Sequence, residues 1–237
     1  MSPPKVGHST RLLLLLSLLS AFPPLATDMY LPAIPLLVQR WHQPLAVVNL
    51  TLIGFFVGYC GFLLIYGPLS DRFGRRRPLL VGIAIFILAS LLCALSDNVV
   101  SLIVFRVLQA AGAASASVLA LAISKDVYGG HERERILAWI GVIMALAPML
   151  GPVFGGWIMT WFSWRWVFVT QASVALVAWV GVLWMPETLQ TPTSTGARQS
   201  AASYLELLGN RRYIGFALMM AIVVLPHFVF IAVSSDI

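Results

Sequence analysis

Two charged side chains stand inside long apolar runs. Asp28 lies in SAFPPLATDMYLPAIP, Ser20 to Pro35, within an apolar stretch from Leu12 to Val38. Arg106 lies in LIVFRVLQAAGAA, Leu102 to Ala114. A charge at the bilayer centre costs roughly 2.5–3.5 kcal/mol on insertion scales, so such residues face a protein interior, find partners and mark function. A carboxyl group away from water can take up and release a proton, whereas a guanidinium keeps its proton and acts as a fixed positive neighbour. Together they could exchange a proton for another ligand. Two plainer readings stand beside this one. Asp28 could order a helix end broken by Pro23, Pro24, Pro32 and Pro35 near the outer surface. Arg106 could be held structurally by neighbouring backbone or by Gln109, one helical turn further on.

The elements that must carry these residues follow from composition. The chain has 237 residues, 59% hydrophobic and 10% charged, with a mean hydropathy of +0.90. Soluble domains carry about 25% charged residues. So little charge indicates an integral membrane protein. Seven segments are long and apolar enough to span: Leu12–Val38, Leu45–Leu69, Pro78–Leu95, Val99–Ile123, Ile136–Phe162, Trp166–Trp184 and Tyr213–Val233. They are too long for the roughly ten-residue alternating strands of a membrane barrel. The first resembles a signal peptide at its start, but its apolar run continues past any cleavage point, so an uncleaved span is expected.

Of the fifteen Lys and Arg residues, twelve fall on one side of this threading, Arg40 and Arg165 on the other, and Arg106 within a span. That asymmetry predicts a cytoplasmic N-terminus. It assigns the net charge of +6 to membrane orientation and not to nucleic acid. At 1.5 Å per residue, Asp28 lies ~24 Å above the inner end of its span and Arg106 ~11 Å below the outer end of its own. Both then fall in the outer half of a core about 30 Å thick. The linker PETLQTPTSTGARQSAAS separates six spans from one. The expected organisation is a six-helix domain over 1–185, a cytoplasmic linker over 186–212, and over 213–237 the first helix of an incomplete second domain.

The inner loop after the second span reads GPLSDRFGRRRP, Gly67 to Pro78. Asp71 stands among Arg72, Arg75, Arg76 and Arg77 and is expected to be paired. Gly67 permits close helix approach, and Gly74 a tight turn. A positive-inside anchor with one incidental acid is the plainer reading. In APMLGPVFGG, Ala147, Gly151 and Gly155 recur every fourth residue, which allows close helix contact. Pro148 and Pro152 remove backbone donors and bend the helix.

The ordered loop GPLSDRFGRRRP resembles the signature between spans 2 and 3 of the major facilitator superfamily. LIVFRVLQAAGAA resembles that superfamily's R-x-x-Q-G-x-G motif, with Gly112 at its second glycine. APMLGPVFGG resembles its antiporter motif. ATDMYLPAIP and SWRWVF are similar to the bicyclomycin- and chloramphenicol-resistance (Bcr/CflA-type) branch of drug:proton antiporters. The resemblance implies an all-α fold. The six-helix N-terminal half consists of two inverted three-helix repeats, followed by a seventh span, with the C-terminal half expected to be missing. It further implies alternating-access efflux of a lipophilic drug across the bacterial inner membrane, driven by the proton gradient without a cofactor. Asp28, Arg106 and Gln109 would serve proton coupling and substrate. Gly67, Asp71, Arg72, Gly74, Arg75 and Arg76 would form the cytoplasmic gate. Pro148, Gly151, Pro152, Gly155 and Gly156 would form the helix contact that seals against proton leak.

Other expectations are simpler. Tyr30, Phe55 and Tyr59 could line a drug cavity, or face lipid or core. Trp139, Trp157, Trp161, Trp164 and Trp166 suggest an interfacial belt. Cys60 and Cys93 read as small buried hydrophobes. His227 reads as a packed side chain. No nucleotide loop, metal motif or nucleophile elbow is found, so no enzyme and no metal site are expected. Proton and drug are the expected small partners, with membrane lipid around them and no nucleic acid. A non-transporting truncated membrane protein is the main alternative function, and a seven-helix sensor or receptor the lesser one.

Overall fold

The computed structural model of the protein describes residues 10–189, 206–207, 209–219 and 221–222. Two compact units are distinguished, Met1–Pro192 and Thr193–Ile237. In the first, six stretches among the described residues are long and apolar enough to cross a membrane. No strand occurs among the described residues. In the second, residues 211–219 and 221–222 are helical. The remainder of the expected seventh span, including His227, lies outside the described residues.

The first span is not one helix. It consists of α1 (Thr10–Ser20), α2 (Phe22–Asp28), a 3-10 turn (Leu31–Ala33) and α3 (Ile34–Trp41). Proline is the cause. Pro23 and Pro24 open α2, Pro32 lies in the 3-10 turn, and Pro35 opens α3. At a helix start the missing N–H is not needed, so each proline is tolerated where a new helix begins.

The other spans are α4 (Leu45–Phe73), α5 (Arg76–Ala94), α6 (Val99–Val127), α7 (Gly130–Trp161) and α8 (Arg165–Leu183). The Asn98 side chain caps α6 by accepting from the Ser101 N–H at 2.8 Å. α6 is the centre of the unit. It packs along α4 and α5, while α5 also packs along α8. Small residues set these crossings. A Cβ on Gly112 would lie 2.5 Å from the Phe86 Cβ and 2.6 Å from the Gly82 carbonyl, so α5 and α6 approach as closely as backbone allows.

The buried apolar residues form two clusters, one around Leu16, Phe22, Phe86 and Leu119, the other around Tyr30, Leu37, Leu102 and Phe168. Many large apolar side chains point outward, among them Val57, Leu88, Val100 and Val177. In water such a surface would aggregate, and in a bilayer it is matched by lipid. Two expectations need correction. Trp164 is only 3% exposed. It packs against Trp41 and Phe168, so it belongs to the core and not to an interfacial belt. Cys60 is exposed while Cys93 is buried, and both are free thiols.

Candidate functional site

Asp28 is the last residue of α2 and is 2% exposed. The chain then turns through Met29 and Tyr30 before the 3-10 turn. A helix that stops inside a membrane leaves its last carbonyls without N–H partners, and these must be satisfied by other spans. Two side chains do this. Arg106 of α6 donates from Nη1 to the Ala26 carbonyl at 2.8 Å. Gln171 of α8 donates from Nε2 to the Leu25 carbonyl at 3.1 Å. A cation at a helix C-terminus also complements the helix dipole. The Thr27 hydroxyl lies 3.1 Å from Asp28 Oδ1 and 3.1 Å from the Pro23 carbonyl.

Arg106 is fully buried. Its Nη1 also donates to Gln109 Oε1 at 2.6 Å. Its guanidinium carbon lies 4.5 Å from the Phe55 ring centre, 4.8 Å from Tyr30 and 5.9 Å from Phe168. Cation–π contacts stabilise a desolvated cation by about 2 kcal/mol or more each at best. They are the compensation here, because Nε and Nη2 make no hydrogen bond among the described residues. Tyr30 and Phe55 are therefore walls of the arginine's box. Tyr59 stacks on Phe55 at 6.2 Å. Tyr30 in turn is held by its hydroxyl, 2.9 Å from Thr51 Oγ1. The depth argument from the sequence brought Asp28 and Arg106 to similar heights. In the structure Arg106 reaches the first span on both sides of Asp28, bonding the Ala26 carbonyl two residues before it and lying over the Tyr30 ring two residues after it.

Behind Asp28 lies α7. A Cβ added to Gly151 would sit 2.6 Å from the Asp28 Cβ, and one on Gly155 would sit 2.2 Å from the Met29 carbonyl. The break in the first span thus rests on a surface from which side chains are absent. Ala147, on the same α7 face, is also buried. Pro148 and Pro152 both lie inside α7. Gly156 has open space where a Cβ would stand, so it takes no part in this contact.

The loop between α4 and α5 forms a second constellation. Arg75 donates to Asp71 Oδ1 at 2.6 Å, Ser70 Oγ at 2.7 Å and Asp126 Oδ2 at 2.8 Å. Burial lowers the pKa of Arg75, but Asp126 and Asp71 more than offset it and the net shift is upward. Gly67 accepts from the Ser70 hydroxyl at 2.9 Å. Arg72 lies outside the cluster, over the Phe73 ring at 5.2 Å. Arg76 reaches the Leu183 carbonyl.

Glu187, in the PETL stretch after α8, closes this constellation. Its Oε1 accepts from the Arg75 N–H at 2.8 Å, and its Oε2 from the Arg76 N–H at 3.2 Å. The Thr188 and Leu189 N–H groups add bonds at 3.0 and 3.1 Å. A carboxylate at the start of α5 satisfies orphan donors and the helix dipole together. Burial raises the Glu187 pKa, and the four N–H groups outweigh it, leaving the carboxyl below its ordinary range. Gly74 has φ +85°, and a Cβ there would meet the Glu187 carboxylate.

Sequence reasoning missed Gln171, Ser90, Asp126 and Glu187. Gln171 had a signal, as a polar residue facing a helix break from an otherwise apolar span. Glu187 had none, since its contacts are to backbone 111 and 112 residues away.

A family profile described as Major Facilitator Superfamily matches residues 16–235. "Uncharacterized MFS-type transporter YdgK" of Bacillus subtilis is 36% identical over 216 residues, covering 88% of this chain and 53% of that protein. A "Chloramphenicol resistance protein" of Pseudomonas aeruginosa is 34% identical, covering 74% of this chain and 42% of that one. "Multidrug resistance protein D" of Escherichia coli is 30% identical, covering 91% and 55%. The chain thus spans about half the length of the curated relatives it matches. Among solved structures, the peptide transporter POT in complex with sulfate superimposes with a TM-score of 0.64 at 16% identity. It covers 94% of this chain and 48% of the transporter. The likeness is one of fold.

Proposed function

The chain belongs to the Major Facilitator Superfamily, and from that premise we propose that it forms the N-terminal half of a proton-coupled exporter of lipophilic drugs. Relatives named for chloramphenicol and multidrug resistance support the substrate class. The observation that carries the reading is Asp28. It is a carboxyl group 2% exposed, at a helix break, with an arginine bound to the same helix two residues away. Such a group changes charge when it exchanges a proton, and a bound cationic or polar drug competes with that proton for the same site. Protons would enter from the outer side and leave inside by alternating access. A membrane potential contributes about 2.3 kcal/mol per charge per 100 mV, enough with a pH gradient to drive uphill export.

In this reading the bundle lies in a bacterial inner membrane with its N-terminus in the cytoplasm, and a second half completes the cavity. Asp71, Arg75, Asp126 and Glu187 hold the inner ends of α4, α5, α6 and α8 together, and a shift between inward- and outward-open states would strain this cluster.

The test is proton-driven dye efflux by the protein carried to the length of its relatives, with Asp28→Asn beside wild type. Coupled efflux is expected to fall at least tenfold in the variant, and undiminished coupling would remove Asp28 from the mechanism. Drug resistance conferred on a sensitive host separates an exporter from a non-transporting membrane protein.

A further inference from the structure

A chain of buried amides links α8 to Arg106, and its direction is fixed. A guanidinium only donates, so Gln109 turns its oxygen to Arg106, at 2.6 Å. The Gln109 amide nitrogen then faces the other way. It donates to Ser90 Oγ at 2.8 Å and to Gln171 Oε1 at 2.9 Å. Gln171 in turn presents its own nitrogen to the Leu25 carbonyl at 3.1 Å. The Ser90 hydroxyl donates in turn to the Phe86 carbonyl at 2.7 Å. Both glutamines and Ser90 are buried. The relay starts and ends on adjacent carbonyls of one helix end, Leu25 and Ala26, so it closes a ring through α2, α6 and α8.

We propose that Gln171 is a positioning residue for proton exchange at Asp28: it clamps the end of α2 and, through Gln109, fixes Arg106 on the Ala26 carbonyl. The inference rests on the reading of Asp28 as the proton-exchanging group. An apolar spacer at Gln171 would leave the Leu25 carbonyl unpaired and Gln109 free to turn. Arg106 would then lose its fixed seat at Ala26 and become available to the neighbouring carboxylate. Among the described residues, the titratable groups that bear on Arg106 are Tyr30 in the first span and Cys93 from α5. Where α7 meets Asp28 it presents Gly151.

The test uses the full chain in proteoliposomes and follows by infrared spectroscopy the carboxyl band that disappears in Asp28→Asn. In Gln171→Met, of similar length without hydrogen-bonding groups, the midpoint of that band is expected to move about one pH unit lower, the scale of one hydrogen bond. Gln109→Met cuts the same relay one link further on and must reproduce the shift. In an Arg106→Gln background, Gln171→Met must add no shift. Equal shifts with and without Arg106 overturn the proposal, as does lowered thermal stability with an unmoved midpoint. This readout needs no transport. Absent efflux with a shifted midpoint sinks the exporter reading and leaves the positioning role standing, and an Asp28 band that never titrates overturns both.

Discussion

At the scale of single residues, absent side chains matter as much as the charged ones. Asp28 can sit at a helix break 2% exposed because α7 offers it Gly151 and offers Met29 Gly155. Gly151→Ala and Gly155→Ala each force a methyl group into atoms less than 3 Å away. Overpacking of this kind costs typically 1–3 kcal/mol. Both variants are expected to lower the melting temperature in detergent, with Gly155→Ala the worse because it meets backbone. Gly156→Ala is the control, since nothing stands in its way, and it is expected to melt with wild type. The motif APMLGPVFGG was legible in the sequence as a packing surface. Which glycine faces the first span was not, because the rotation of a helix about its axis depends on its neighbours.

At the scale of elements, one end of each of four helices is tied by charge. Glu187 caps α5 from the far end of α8, and its contribution follows pH in a definite sense. Its folded pKa is depressed, so the contribution is complete above the unfolded value of about 4.3 and is lost as pH falls through the lower folded value. Glu187→Gln is expected to lower thermal stability at neutral pH and to match wild type in strong acid. The group is largely exposed, so the effect stays below about 1 kcal/mol after solvent screening. A difference that persists unchanged in acid would assign the loss to geometry and not to charge. Gly74→Ala tests the same junction by strain, since φ is +85° there. It is expected to cost about 1 kcal/mol or more at all pH values. The loop GPLSDRFGRRRP announced its arginines and Asp71. The partners Asp126 and Glu187 lie 51 and 112 residues from Arg75, beyond any local pattern.

At the scale of the whole molecule, the charge asymmetry predicts a single orientation. Cysteines placed at Gln43 and Asp97 are expected to react with an impermeant maleimide added outside intact cells. Cysteines at Arg72 and Arg77 are expected to react only after the inner face is opened. Labelling of both sets from the same side would remove the alternating threading of the spans. The same bundle explains why a charge as costly as Arg106 is retained. It stands where the two apolar clusters meet, with Phe55 from one and Tyr30 and Phe168 from the other around it.

Sequence by itself determined that this is a multi-pass helical membrane protein of the major facilitator kind. Hydropathy over twenty residues, positive charge at loop ends and short ordered motifs are local quantities, and the bilayer reads them locally. It also singled out Asp28 and Arg106, because a charge in an apolar run is conspicuous wherever it ends up. Only the tertiary structure decided what those charges touch. The prolines that break the first span expose the Leu25 and Ala26 carbonyls, and their partners come from α6 and α8, 80 and 146 residues away. A hydrogen bond across such a separation is set by how helices rotate and approach, and that depends on every small residue at their crossings at once.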